Sequence, residues 1–224
     1  MFRSRTLSLA LVAGFLFTSC QKKEEGPAAG MSPDMVRAIV QGKDADVSRL
    51  LTEGQAVDAL QNGQTALCIA AMNNKLSIMG VLIAKGANVN HSTAIDGTTP
   101  LMFASKNGSL DGVKALLAQG AKVDTKDKVG ANALHYAVMG GKKDIAEELI
   151  KRDATLLKSP TNVGINPLLL ALNMEVQPNA GKSDTEMVAF LKKAYGIGAD
   201  TVKPTVQDYS QEPEPAAKPA KKKK

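Results

Sequence analysis

A ten-residue pattern returns four times along this chain, and the recurrence limits the fold more than any other feature. The copies are Asn62–Ala71, Asp96–Ser105, Val129–Val138 and Val163–Leu172, and their glycines, Gly63, Gly97, Gly130 and Gly164, step by 34, 33 and 34 residues. Three copies continue into a second apolar stretch, Val81–Ala87, Ala115–Ala121 and Glu148–Ala154. Gly86 and Gly120 stand where a helix C-terminus favours a left-handed residue. Thr99 suits the capping place of a first helix, and Pro100 its first turn, where no N–H bond is needed. A degenerate copy starts at Met31, with Ala38, Gly42, Leu50, Leu51 and Gly54 at matching offsets. The last copy carries an insertion, Glu175–Ser183, before a second helix expected over Thr185–Ala194. A single helix pair cannot hide its apolar face; stacked pairs can, so the repeats form one elongated unit.

These motifs resemble the ankyrin repeat, with its Gly-x-Thr-Pro-Leu-His-x-Ala opening and Leu-Leu-x-x-Gly-Ala close. The resemblance covers about Met31 to Asp200. It implies an all-α solenoid of about five helix-turn-helix repeats with hairpin loops. The first copy departs from it by lacking Thr-Pro-Leu, and the last by its insertion. Terminal repeats are atypical because one face has no neighbour. His135 stands at the motif histidine, a position that usually bonds neighbouring backbone and holds the hairpin. Cys68 replaces that histidine in an earlier copy and reads as a small buried hydrophobe.

The family meets partners with hairpin tips and exposed positions of the inner helix. Carried onto this chain, those positions begin with Gln61, Asn62 and Met72. The next repeat supplies Ile95, Asp96, Thr98 and Lys106. Lys128, Val129 and Met139 follow, then Val163, Ile165 and Met174. Met72, Met139 and Met174 occupy near-equivalent places, and Ile95, Val129 and Val163 lie at or one place before the residue preceding the repeat glycine. Flexible Met and branched aliphatics along a concave face form the expected apolar strip for a protein partner; the alternative is that some of them fold into the stack.

The N-terminus reads as a leader. Arg3 and Arg5 precede an apolar run, Leu7 to Phe17, which is shorter than the roughly 20 residues of a membrane span. Phe17-Thr18-Ser19-Cys20 is similar to a bacterial lipobox, with Phe where Leu is usual. That resemblance implies a signal peptide over residues 1–19, acylation at Cys20 and a tether over 20–30; an ordinary secretory signal is the alternative. Gln21 after the cysteine implies the outer membrane by the lipoprotein sorting convention, with the chain on the periplasmic side of the bacterial envelope. The repeat domain spans 31–203. Residues 204–224 form a Pro/Ala/Lys-rich tail, disordered by composition, that either touches anionic polymer or lipid or merely solubilises the end.

The net charge of +6 belongs largely to the ends, because Met31–Lys203 holds 19 basic and 17 acidic residues. No basic face for nucleic acid is visible there. With Cys20 acylated, Cys68 has no disulfide partner. His91 and His135 stand too far apart in the sequence for a zinc pattern, and no phosphate loop, metalloprotease helix or nucleophile elbow occurs. Asp111, Asp124, Asp127 and Asp144 lie near helix or hairpin starts, where capping explains them. The sequence thus points away from an enzyme, and no cofactor or metal is expected. It points to an exported module that binds an envelope protein. Chains of similar kind include an ankyrin protein with which a predatory bacterium restrains its own peptidoglycan endopeptidases, so a peptidoglycan-acting enzyme is the expected partner. A non-inhibitory periplasmic scaffold or stress-protection adaptor is the alternative.

Overall fold

The computed structural model describes residues 30–175 and 182–196. The leader, Cys20, nearly all of the tether, most of the insertion and the tail lie outside the described residues. Among the described residues five helix pairs follow one another: α1 (Pro33–Gln41) with α2 (Asp44–Thr52), α3 (Ala66–Met72) with α4 (Leu76–Ala84), α5 (Pro100–Asn107) with α6 (Leu110–Ala118), α7 (Ala133–Met139) with α8 (Lys143–Arg152), and α9 (Pro167–Glu175) with α10 (Lys182–Ala194). The first members pack in the order α1, α3, α5, α7, α9, and the second members form a parallel layer behind them. The α10 helix begins three residues before the expected start at Thr185, which shortens the insertion to 176–181.

Each inner helix starts on a small polar residue that satisfies one or two of its free N–H groups. Ser32 accepts from Met35 N, Thr65 from Cys68 N, Thr99 from Met102 N, Asn132 from Leu134 N and His135 N, and Asn166 from Leu169 N. Ser32-Pro33 therefore does in the first copy what Thr99-Pro100 does in the third, although Thr-Pro-Leu itself is absent there. The outer helices differ. Their N-caps, Lys43, Lys75, Ser109 and Lys142, make no side-chain cap bond. Asp111 and Asp144 are not caps but sit inside the first turn, where their charge opposes the helix dipole.

The outer helices α4 and α6 end as expected. Gly86 and Gly120 are left-handed, and Ala87 N and Ala121 N close back on Leu82 O and Leu116 O at 3.0 Å. The fourth pair departs from this. Asp153 has φ −152°, and its carboxylate accepts from Thr155 N and Thr155 Oγ1, opening a 3-10 turn over Ala154–Lys158. No glycine is available there to continue the left-handed exit.

The core is one continuous apolar seam. Leu67, Leu101, Leu134 and Leu168 recur at the same repeat position and are buried, and Leu82, Leu116 and Leu149 answer them from the outer layer. Small residues Ala70, Ala104, Ala137 and Ala171 are buried at the equivalent place of four inner helices. No helix among the described residues is long and apolar enough to cross a membrane. Truncating a seam leucine leaves a cavity shared by two repeats. Leu134→Ala is expected to destabilise the array by about 2–5 kcal/mol, read as a shift of the urea midpoint; an unchanged midpoint would mean that Leu134 is not part of the seam.

Candidate functional site

Between the helix pairs the chain projects a series of closed loops. Leu60–Gln61 and Gln64–Thr65 form the regular strand pair β1–β2 around Asn62-Gly63, both with positive φ (51° and 75°), a turn of the type Asn-Gly favours. The later loops close without regular strands, through Thr93 N to Thr98 O (3.0 Å), Asp127 N to Ala131 O (2.9 Å) and Thr161 N to Ile165 O (2.9 Å).

Each loop is bonded to the next. Lys128 N donates to Asp96 O at 2.8 Å and Asn162 N to Val129 O at 2.9 Å. Asn162 Nδ2 donates to Lys128 O at 2.8 Å. The repeat glycine is needed at these crossings. A Cβ on Gly130 would lie 2.6 Å from Asn162 N, and the residue's φ of 82° already excludes most side chains. The loops therefore form a backbone-bonded row that fixes where each tip points.

At these tips three large aliphatic side chains face solvent. Ile95 is 72% exposed, Val163 66% and Val129 63%, far above any need of a packed residue. Met72 (40%) and Met139 (44%) are exposed at the far ends of α3 and α7, with Lys106 between them in the last turn of α5. Gln61 is half-buried in β1 and Asn62 is exposed at its turn.

The expected single strip is thus two rows. Tip residues precede the inner helices and the methionines end them, so one helix length separates the rows. Phe103 and Tyr136, both half-buried, occupy mid-helix positions between them. The helix ends are bonded across repeats as the tips are. Asn107 Nδ2 donates to Met72 O at 2.7 Å, and Gly140 lies so close to α5 that a Cβ would meet Lys106 O at 2.1 Å.

Three expected contact residues stand differently. Thr98 is 1% exposed and no contact surface: its hydroxyl meets Tyr136 Oη at 3.2 Å, under the side chain of the next repeat. Met174 is half-buried against the core, because it sits in the last inner helix where α10 closes the stack. Ile165 is half-buried, and its carbonyl accepts from His135 Nε2 at 3.1 Å.

The electrostatics of the tips are internally committed. Burial alone would raise Asp96, but hydrogen bonds from Thr93 Oγ1 and Thr98 N outweigh it and hold its carboxyl below the usual range. Asp127 accepts from Val129 N, Ala131 N and Tyr136 Oη, all within 3.0 Å. Burial, then the bond to Asp127, pushes the Tyr136 phenol up to about 12. Lys128 Nζ donates to Ala94 O and Ile95 O at 2.7 Å each. Cys68 is buried, and burial pushes its thiol up, away from nucleophilic use. Among the described residues no group of three or more His, Cys, Asp or Glu could hold a metal ion.

His135 is fully buried, and Nε2–H donates to the next repeat while Nδ1 lies 2.8 Å from Asn132 Oδ1 and accepts from Asn132 N at 3.3 Å. Burial, assisted by Lys126, lowers its pKa. An unfolded chain takes up the proton near pH ~6.5, whereas the folded one resists it, so stability is intact above that value and declines as pH falls below it. Melting midpoints measured from pH 8 to pH 5 are expected to drop through this window, with the His135 imidazole titrating below ~6.5 by NMR. A His135 midpoint at or above the unfolded value would contradict the assignment.

A family model described as ankyrin repeats (three copies) matches residues 30–127 and, in a second match, residues 113–203. A comparison with curated proteins gives no match.

Proposed function

Because the chain belongs to the ankyrin-repeat family, whose repeats serve as protein–protein interaction modules, we propose that it is an exported, lipid-anchored module that captures a protein of the bacterial envelope. The observation that carries the reading is the exposure of Ile95, Val129 and Val163 on loops that backbone bonds hold in place. Large aliphatics left in water on a rigid row bring no benefit to the fold and bury apolar area only in a complex. Rigidity matters because ordering costs offset much of what burial contributes.

Export and anchoring rest on the N-terminal residues. Arg3, Arg5, the run Leu7–Phe17 and the Ser19-Cys20 junction support a cleaved leader and acylation at Cys20, and Gln21 supports the outer membrane. Several acyl chains give lasting attachment, at about 0.8 kcal/mol per buried CH₂. A peptidoglycan hydrolase is the partner we favour, held in check by occlusion, since a wall-degrading enzyme in the same compartment needs restraint. Cys20→Ala is expected to move the protein from the membrane fraction to the soluble one, with loss of acyl label; an unaltered membrane fraction would remove the anchor from the account.

The partner surface is tested with Val129→Asp combined with Met139→Asp. Both side chains are exposed, so helix content and melting should stay unchanged, while co-purification of a peptidoglycan hydrolase with the protein should be lost. Unfolding of the double variant would place these residues in the core. Undiminished capture by a folded variant would place the interface elsewhere.

A further inference from the structure

The first loop tip carries a reactive pair of residues. Asn62 and Gly63 form its turn, with φ of 51° and 75°, and Asn62 is exposed. We infer that Asn62 is a site of intramolecular modification, where the chain converts its own carboxamide into a carboxylate and so changes the charge of this tip. Only the chain and water take part, whether or not a partner is bound.

The reaction needs a backbone nitrogen within reach of a side-chain carbonyl. The nitrogen of Gly63 attacks Cγ of Asn62, and the bond from Cγ to Nδ2 breaks. Ammonia leaves with the proton that the Gly63 N–H gives up, and a five-membered succinimide remains. Water then opens the ring. Cleavage between the nitrogen and Cγ leaves an ordinary aspartate. Cleavage between the nitrogen and the backbone carbonyl leaves an isoaspartate, whose main chain is one CH₂ longer. No electron is transferred, and either product carries one new negative charge. Glycine favours the attack because no Cβ shields its nitrogen and its backbone can rotate freely.

The sequence holds two Asn-Gly pairs, Asn62-Gly63 and Asn107-Gly108, and the fold separates them. Asn107 Nδ2 donates to Met72 O at 2.7 Å, and Gly108 N donates to Ala104 O at 3.1 Å. Leaving group and nucleophile are both held there, and the end of α5 must open before they can meet. Among the described residues nothing bonds the Asn62 amide or the Gly63 N–H. The loop around them is closed by strands of two residues each. Its crossing to the next loop, Ala94 N to Gly63 O, is 3.4 Å long, against 2.8 and 2.9 Å at the two later crossings.

The second tip shows the protected arrangement. Asp96-Gly97 has the atoms to close the same ring, but Gly97 N donates to Thr93 O at 2.9 Å, and the Asp96 carboxylate accepts from Thr93 Oγ1 and Thr98 N. Valine precedes the glycine in the third and fourth tips, Val129-Gly130 and Val163-Gly164, so neither can react. The labile member of the row is therefore its first. A carboxylate there gives the first tip the sign that Asp96 gives the second. The isoaspartate also adds a main-chain atom between Gln61 and Gln64, which pair across the turn.

The test uses the full chain in detergent, incubated at mildly alkaline pH in water labelled with heavy oxygen. Peptides containing Asn62 and Asn107 are followed by mass spectrometry, and a parallel sample is unfolded in guanidinium. In the folded chain Asn62 is expected to convert at least about tenfold faster than Asn107, because the latter waits on local opening. The product should carry one labelled oxygen and divide between aspartate and isoaspartate. In guanidinium the two pairs should convert at rates within about threefold of each other, since only the fold distinguishes them. Equal rates in the folded chain, faster conversion of Asn107, or an intact Asn62 after the unfolded chain has reacted would overturn the assignment.

Discussion

Close approach of one inner helix to the next is the condition on which the rest of this solenoid depends. Helices come within the lower part of the usual 8–10 Å range only where small side chains face each other. Ala70, Ala104, Ala137 and Ala171 are small and buried at the same place of four successive inner helices, which suits such an approach. Gly140 meets it at its limit, since even a methyl group would overlap Lys106 O. With the helices this near, the loops that precede them come within hydrogen-bond reach, and Lys128 and Asn162 can bond to the backbone of the loop before. The row of tips is thus a consequence of helix packing and not an independent sheet.

That arrangement separates the residues that fold the chain from those left to recognise a partner. Leu67, Leu101, Leu134 and Leu168 lie within the seam, and Thr98, Asp127 and Tyr136 lock one loop against the next. Ile95, Val129 and Val163 belong to neither group. A residue there can change with little effect on the stack, whereas a change one or two places away, at Gly130, collides with Asn162. Stability and recognition therefore lie close in sequence but rest on different contacts.

Much of the fold was legible in the residues. The 33–34 residue step of Gly63, Gly97, Gly130 and Gly164 encodes the stacking period, and Thr99-Pro100 encodes a helix start, because both follow from local backbone chemistry. The first repeat was harder: Ser32-Pro33 performs the capping without the motif that usually surrounds it. Thr98 was misplaced as a contact residue because what covers it is Tyr136, 38 positions away, and no local pattern records that approach. The division of the strip into two rows also depends on three dimensions. Met72 and Ile95 are each exposed, yet one ends an inner helix and the other precedes one. Asp111 and Asp144 were legible as helix-start residues but not as first-turn charges, since one position decides between the two roles.

If helix-to-helix contact is the controlling interaction, the inner helices open together and not one at a time. Native-state hydrogen exchange across α3, α5 and α7 tests this most directly. The account predicts that the slowest amides of the three helices share one opening free energy, within about 1 kcal/mol, and that it equals the global unfolding free energy from urea melts. A graded series, with α3, α5 and α7 opening at clearly different free energies, would contradict it and would mean that each repeat is held by its own pair of helices.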